Sequence, residues 1–237
     1  SRSIEYRSDE DFRTHKKWRR YEKISPEMAK AVIASEDNLF AEHNGFDWKE
    51  MRKAIEDHKK KGKKLRGAST ISQQTAKNVF LWPSRSFVRK AFEAYFTILI
   101  EWIWGKERIL EVYLNVAEMG KGIYGAEAAA QEFFGKSASE LNRREASLIT
   151  ACLPNPIDRH ADKPSQYVNK RAGQIRALIP KLAYPEWIKK QKTPRNGMRF
   201  GVFFVLRKVK CGTTHPPLTR SPFPHKGRPL ISLLLVN

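Results

Sequence analysis

Apolar residues recur with a period near 3.6 through most of the first 182 positions and almost nowhere alternate, so the pattern predicts helices in succession. "SPEMAKAVIASED" (25–37) offers Ser25 as an N-cap, Pro26 at the first helical position, and Met28, Ala31 and Val32 on one face, giving a helix that ends near Glu36. "DWKEMRKAIEDHKK" (47–60) opens with Asp47 and Glu50 in capping-box spacing and has Trp48, Met51 and Ile55 on one side. The basic stretch "KKKGKKLRGA" (59–68) reads as a loop. "STISQQTAKNVFLW" (69–82) starts a helix with Thr70 and Gln73 as a second capping box, stopped by Pro83. A long amphipathic helix is predicted from about Arg85 to Trp104, halted by Gly105, and "KERILEVYLNVAE" (106–118) follows with Ile109, Leu110, Tyr113, Leu114 and Ala117 at helical spacing. Gly120, Gly122 and Gly125 mark a turn before "AEAAAQEFF", and helices near 143–153 and 165–182 complete an expected all-α body.

Charge divides the chain of 237 residues. Its net charge of +20 points to an anionic partner, yet 11 of the 45 Lys and Arg, and none of the 25 Asp and Glu, fall in 188–237. That leaves +9 for residues 1–187 and argues against a nucleic-acid binder. Six of the 13 prolines also lie beyond Ile188, so 188–237 is read as a basic, irregular tail without an assigned role, and 1–187 as the domain. The two cysteines are too few for a disulfide framework, and Cys152, inside "ASLITACL", reads as a buried thiol. The most apolar run, "AFEAYFTILIEWIWG" (91–105), is interrupted by Glu93 and Glu101 and is not a spanning segment. The chain starts at Ser1, so a signal, anchor or tag is expected to have preceded it.

Glu36 and Asp37 stand where a helix ends and carries partial negative charge. A carboxylate there should have a raised pKa, the more so beside a second acid, which suits a general acid or base; two solvated acids at a frayed end are the alternative. Arg85, Arg89 and Glu93 follow at i, i+4 and i+8 with Lys90 alongside, while Gln73 pairs with Lys77 and Gln74 with Asn78 at i, i+4. Either stripe alone could be a set of surface ion pairs. Two on successive helices could clamp a polyanion such as pyrophosphate, since guanidinium matches phosphate oxygens in a fork.

Five stretches then carry a family resemblance. "EDNLFAEHNG" (36–45), "GASTISQQTAKN" (67–78), "RKAFE" (89–93), "KERILEVYLN" (106–115) and "GIYGAEAAAQEFFGK" (122–136) resemble, in order, the motifs of the peptidoglycan glycosyltransferases, which polymerise lipid II into glycan strands. The likeness covers roughly 20–180 and is closest to the monofunctional biosynthetic branch; Phe133 stands where the last motif usually has Tyr. It implies a lysozyme-like head with a smaller membrane-facing jaw (roughly 55–105). It further implies Glu36 as general base, Glu93 as second acid, Lys77, Arg85, Arg89 and Lys90 around the donor's pyrophosphate, and Ser69, Gln73, Gln74 and Asn78 lining the cleft. Phe40 and His43 would shape the motif's loop, and Tyr113 to Asn115 would pack. The implied partners are lipid II, the nascent strand, the membrane surface and other cell-wall synthesis proteins. The implied setting is the periplasmic side of a bacterial inner membrane, with an N-terminal anchor upstream of Ser1. No organic cofactor is expected, and a divalent metal, Mg or Mn, is allowed for at the pyrophosphate.

The chemistry is consistent with those roles. A polyprenyl pyrophosphate departs as an anion, so cations suffice to stabilise it, and only the incoming sugar hydroxyl needs a base. A glycan hydrolase must instead protonate a neutral leaving group. The cationic stripe therefore favours synthesis over cleavage. "VFLW" (79–82) with Phe87, Phe92, Phe96 and Trp102 offers apolar surface beside basic residues, although Phe92 and Phe96 are expected to pack in the core. Neither S-x-x-K nor K-T-G occurs, hence the expectation of a monofunctional enzyme.

Overall fold

The computed structural model describes residues 15–61, 69–83 and 86–189. By internal contacts the chain divides into two units, Ser1–Asn196 and Gly197–Asn237. The second unit, and the predicted tail beyond Lys189, lie outside the described residues, as do Arg85 and Cys211. Every described element belongs to the first unit.

Helix α1 (Pro26–Glu36) begins as its sequence dictates: Ser25 accepts the N–H of Glu27, and Pro26 occupies the first turn, where no donor is missed. The Ser25 hydroxyl also donates to the carbonyl of Leu141 (2.7 Å), tying the cap to the far side of the fold. Met28, Ala29, Ala31, Val32, Ile33 and Ala34 are all buried, so α1 is enclosed on nearly every side. Its neighbours are α7 (Arg143–Cys152), opened by an Asn142–Glu145 capping box, and α8 (Gln166–Leu178), capped by Ser165. Cys152 is buried on α7, where burial pushes its thiol up to about 11 and leaves it a packing residue.

Helix α2 (Trp48–Lys61) follows the 37–46 loop. Then α3 (Ile71–Phe80), α4 (Phe87–Ile103) and α5 (Gly105–Val116) pack on one another, and α6 (Ala126–Phe134) joins them beside α5. The true cap of α4 is Ser86, whose hydroxyl accepts the N–H of Arg89, so the helix begins two residues after the predicted Arg85. A terminal turn, Glu186–Lys189, forms α9.

The body is mostly helical, as expected, with one small addition at the glycine-marked turn. Two strands of the turn and one from near the start of the described residues form a three-stranded sheet, ordered β1 (His15–Lys16), β3 (Ile123–Tyr124), β2 (Glu118–Gly120). β1 runs parallel to β3, pairing His15 with Ile123, and β2 is antiparallel to it with an irregular register at Gly120. Strands of two or three residues are too short to show alternation, so the pattern could not reveal them. The turn needs its last glycine. Gly125 has φ 85, and a Cβ there would stand 2.7 Å from the backbone oxygen of Asn115.

Helix α4 has two unlike faces. Phe87, Val88, Phe92, Tyr95, Ile98, Trp102 and Ile103 are exposed and, at 100° per residue, share about 160° of arc. Phe87 is 96% and Trp102 83% exposed. Phe92, expected in the core, is 44% exposed and meets Trp82 edge-on, whereas Phe96 does pack inward, stacked on Phe80 at 4.6 Å. The opposite arc holds buried Glu93, Thr97 and Ile100.

Met28 is fully buried in the first turn of α1. Met28→Ala should therefore lower unfolding free energy by about 2–5 kcal/mol in urea denaturation, with an unchanged m-value.

Candidate active site

Glu36 closes α1, and its carboxylate is held from two directions. Ser35 Oγ donates to Oε1 (3.2 Å), and Gln74 Nε2, from α3, donates to Oε2 (3.2 Å). Behind them, Arg171 on α8 donates to Ser35 Oγ (3.4 Å), and the buried phenol of Tyr113 donates to Gln74 Oε1 (3.4 Å). Burial raises the pKa of Glu36; the hydrogen bonds from Gln74 and Ser35 and the charge of Arg171 act against it, and Asp37 adds the smallest contribution upward. Removal from water, more than the neighbouring acid invoked from the sequence, thus sets the direction.

Asp37 has a separate task. Its buried carboxylate pairs through Oδ1 with Nε2 of His43 (2.8 Å) and through Oδ2 accepts the backbone N–H of Ile71 (2.9 Å), the first residue of α3. One side chain thereby joins the end of α1, the loop and the start of α3. Phe40 is fully buried, with the ammonium of Lys106 4.7 Å above its ring and His43 edge-on to it, so both loop residues are structural as expected. Gly45, at φ 87, gives its carbonyl to Thr70 Oγ1 (2.6 Å), and a Cβ there would lie 2.8 Å from Thr97.

Between these elements lies a cavity of about 160 Å³, lined among others by Glu36, Asp37, Asn38, Asp47, Glu50 and Ser69. Ser69 lines this cavity. Gln73 is buried, and its Oε1 accepts the N–H of Thr70 (3.0 Å) in the α3 capping box. The amide needed to close the cap cannot also face the cleft, and Gln74, one position on, does so.

On α4, Glu93 is 3% exposed and binds Arg89 NH1 through Oε2 (3.2 Å) and Lys90 Nζ through Oε1. The carboxylate is thus ion-paired with both cations. Lys77 and Asn78, both half-buried, follow Gln74 on α3 by three and four residues. α3 is the common element: it packs on α4 and through Gln74 touches Glu36. Among the described residues no three His, Cys, Asp or Glu side chains are grouped as a metal-ligand set.

Comparison with known proteins settles the lineage. The model of the transglycosylase family matches residues 5–179. This chain belongs to that family. It is 58% identical over 165 residues to a biosynthetic peptidoglycan transglycosylase of Shewanella oneidensis, a match covering 70% of each chain. With proteins of the same name it shares 60% over 162 residues in Bacteroides thetaiotaomicron (68% of this chain, 65% of the relative) and 55% over 159 in Caulobacter vibrioides (67% and 69%).

In this transglycosylase Glu101 supports the site although no motif marks it. From α4 its Oε1 accepts Ser72 Oγ (2.5 Å) and the ammonium of Lys106 (2.6 Å), bracing α3 and α5 beside the loop. A carboxylate interrupting an apolar run is the signal the sequence offers.

In the unfolded chain the Glu36 carboxyl titrates in its ordinary range, and in the fold it is raised, so ionising it opposes folding at neutral pH. Glu36→Gln should be more stable than the parent at about pH 7.5, with the gap shrinking as pH falls through the folded pKa, measured by denaturation midpoints. Asp37→Ala leaves His43 and an α3 N–H without their buried partner and should cost about 3–5 kcal/mol in the same assay.

Proposed function

We propose that this transglycosylase polymerises lipid II into β-1,4-linked glycan strands by a single inverting displacement, releasing undecaprenyl pyrophosphate. The observation that carries the reading is Glu36, half-buried at the cleft and held by Gln74 on the helix whose next turn bears Lys77. Its pKa is raised by removal from water, and in its ionised form such a carboxylate can take the proton of an acceptor 4-hydroxyl. The freed oxygen attacks the anomeric carbon of the donor as its bond to the diphosphate breaks, which turns an α-linked donor into a β-linked product. Lys77, Arg89 and Lys90 receive the negative charge that develops, with Arg85, outside the described residues, assigned to them by motif. Glu93 acts as their orienting partner, keeping a guanidinium and an ammonium in place before the donor arrives. The buried Nε of Arg89 has no hydrogen-bond partner among the described residues and retains a donor for a phosphate oxygen.

No organic cofactor is required by this chemistry. Among the described residues the side chains do not form a metal set, so a divalent ion, if used, would be carried by the diphosphate. The exposed apolar arc of α4, with Val79, Phe80 and Trp82, suits contact with the interfacial zone of the inner membrane, where a polyprenyl donor is found. No described helix is long and apolar enough to cross a membrane. On this reading the domain works at the periplasmic face, in wall synthesis and the cell shape that depends on it, with other cell-wall synthesis proteins as its further partners.

Labelled lipid II tests the proposal: long polymer is expected, while products released only from preformed murein would identify a lytic enzyme instead. Glu36→Gln should lower kcat by about 10²–10⁴ and lose the acid limb of the pH–rate profile, the limb on which the wild-type base becomes protonated. Lys90→Ala, which leaves Glu93 paired with Arg89, should lower kcat/KM for the donor about tenfold or more with little change in melting temperature.

A further inference from the structure

The cleft has a wall that the proposed reaction leaves unused. Asp47 and Glu50 line the cavity that Glu36 lines; Asp47 immediately precedes α2 and its Oδ1 accepts the N–H of Glu50 in the first turn (2.9 Å). Between them in the chain stands Trp48. Its indole is stacked on Phe46, with centroids 5.5 Å apart and planes 27° from parallel, yet the residue is 66% exposed. A large apolar ring fixed from one side and open on the other is costly to leave in water and is suited to receive a flat ligand.

We propose that Trp48, backed by Phe46, is a stacking platform for a pyranose ring of the glycan at the rim of the Glu36 cleft. The inference rests on the glycan-polymerising reading above. A β-linked hexosamine has an apolar face of axial C–H bonds, weakly positive toward the negative face of an indole, and an equatorial rim of hydroxyl donors. The two surfaces find their counterparts here, the ring against Trp48 and the hydroxyls against the carboxylates of Asp47 and Glu50. A lipid surface is the other chemistry that uses an exposed tryptophan. The sugar is favoured by what lines the cavity beside Trp48, the hydroxyl-accepting carboxylates of Asp47 and of Glu50, the latter also holding Lys53 (3.1 Å); Lys49 and Arg52 stand on the same helix, so vesicle binding is the competing outcome the test scores.

The test measures binding of chitotetraose, a lipid-free β-1,4-linked N-acetylhexosamine, to the full chain by saturation-transfer NMR titration. Trp48→Ala should raise Kd on the order of tenfold, and Trp48→Phe should hold it within about threefold. Melting temperature and affinity for phosphatidylglycerol vesicles should be unchanged in both. Equal Kd in wild type and Trp48→Ala, or no binding by wild type, overturns the proposal. Loss of vesicle binding with oligosaccharide binding intact overturns it in favour of a membrane contact. Lipid II polymerisation by the wild type is scored in parallel. If polymer forms while Trp48→Ala keeps its affinity, only the platform fails; if none forms, the parent reading fails separately.

Discussion

A single buried carboxylate organises the catalytic end of this fold. Asp37 engages the His43 imidazole with one oxygen and an α3 backbone N–H with the other, and its own N–H closes the last turn of α1 on Ile33. Without the pair, a helix end with partial negative charge would face a buried carboxylate with no compensation. With it, α1, the 37–46 loop and α3 are fixed together. Glu36, the preceding residue, is thereby carried to the cleft. The adjacent acids differ in duty because one carboxylate is saturated by donors that cannot move, whereas the other meets only two long contacts from side chains.

Electrostatic roles are separated in space as well as in sequence. The acidic wall comes from the end of α1, the 37–47 loop and the first turn of α2, and the cations from α4, with Glu93 holding Arg89 and Lys90. A second carboxylate on α4, Glu101, acts structurally, taking a hydroxyl from α3 and an ammonium from α5. Thus α4 carries two acids that bind cations and neither is presented as a base. Its third property is an unbroken apolar arc facing outward. One helix therefore combines a support for the cleft, a holder of positive charge and a surface that water does not favour.

Much of this was legible in the chain. Ser25 with Pro26, and Thr70 with Gln73, specified two helix starts correctly because capping is local chemistry, read from residues three apart. The acidic pair at 36 and 37 marked the site for the same reason. What could not be read depends on distant residues. Which acid of the pair is free was decided by Ile71 and His43, the inward turn of Gln73 by the needs of its cap, and the exposure of Phe92 by its place on the outward arc of α4. The sheet escaped because each strand is shorter than the four or more residues over which alternation can be read.

The contact between Gln74 and Glu36 makes the cleft a matter of helical phase. Three residues of α3 separate the amide that touches the carboxylate from Lys77, an axial offset of about 4.5 Å that no loop motion can alter. A residue inserted between them would swing the ammonium through about 100° while leaving the amide in place. The separation between the amide that holds Glu36 and the Lys77 ammonium is consequently engraved in the pitch of the backbone, and lengthening neighbouring loops leaves this interval untouched.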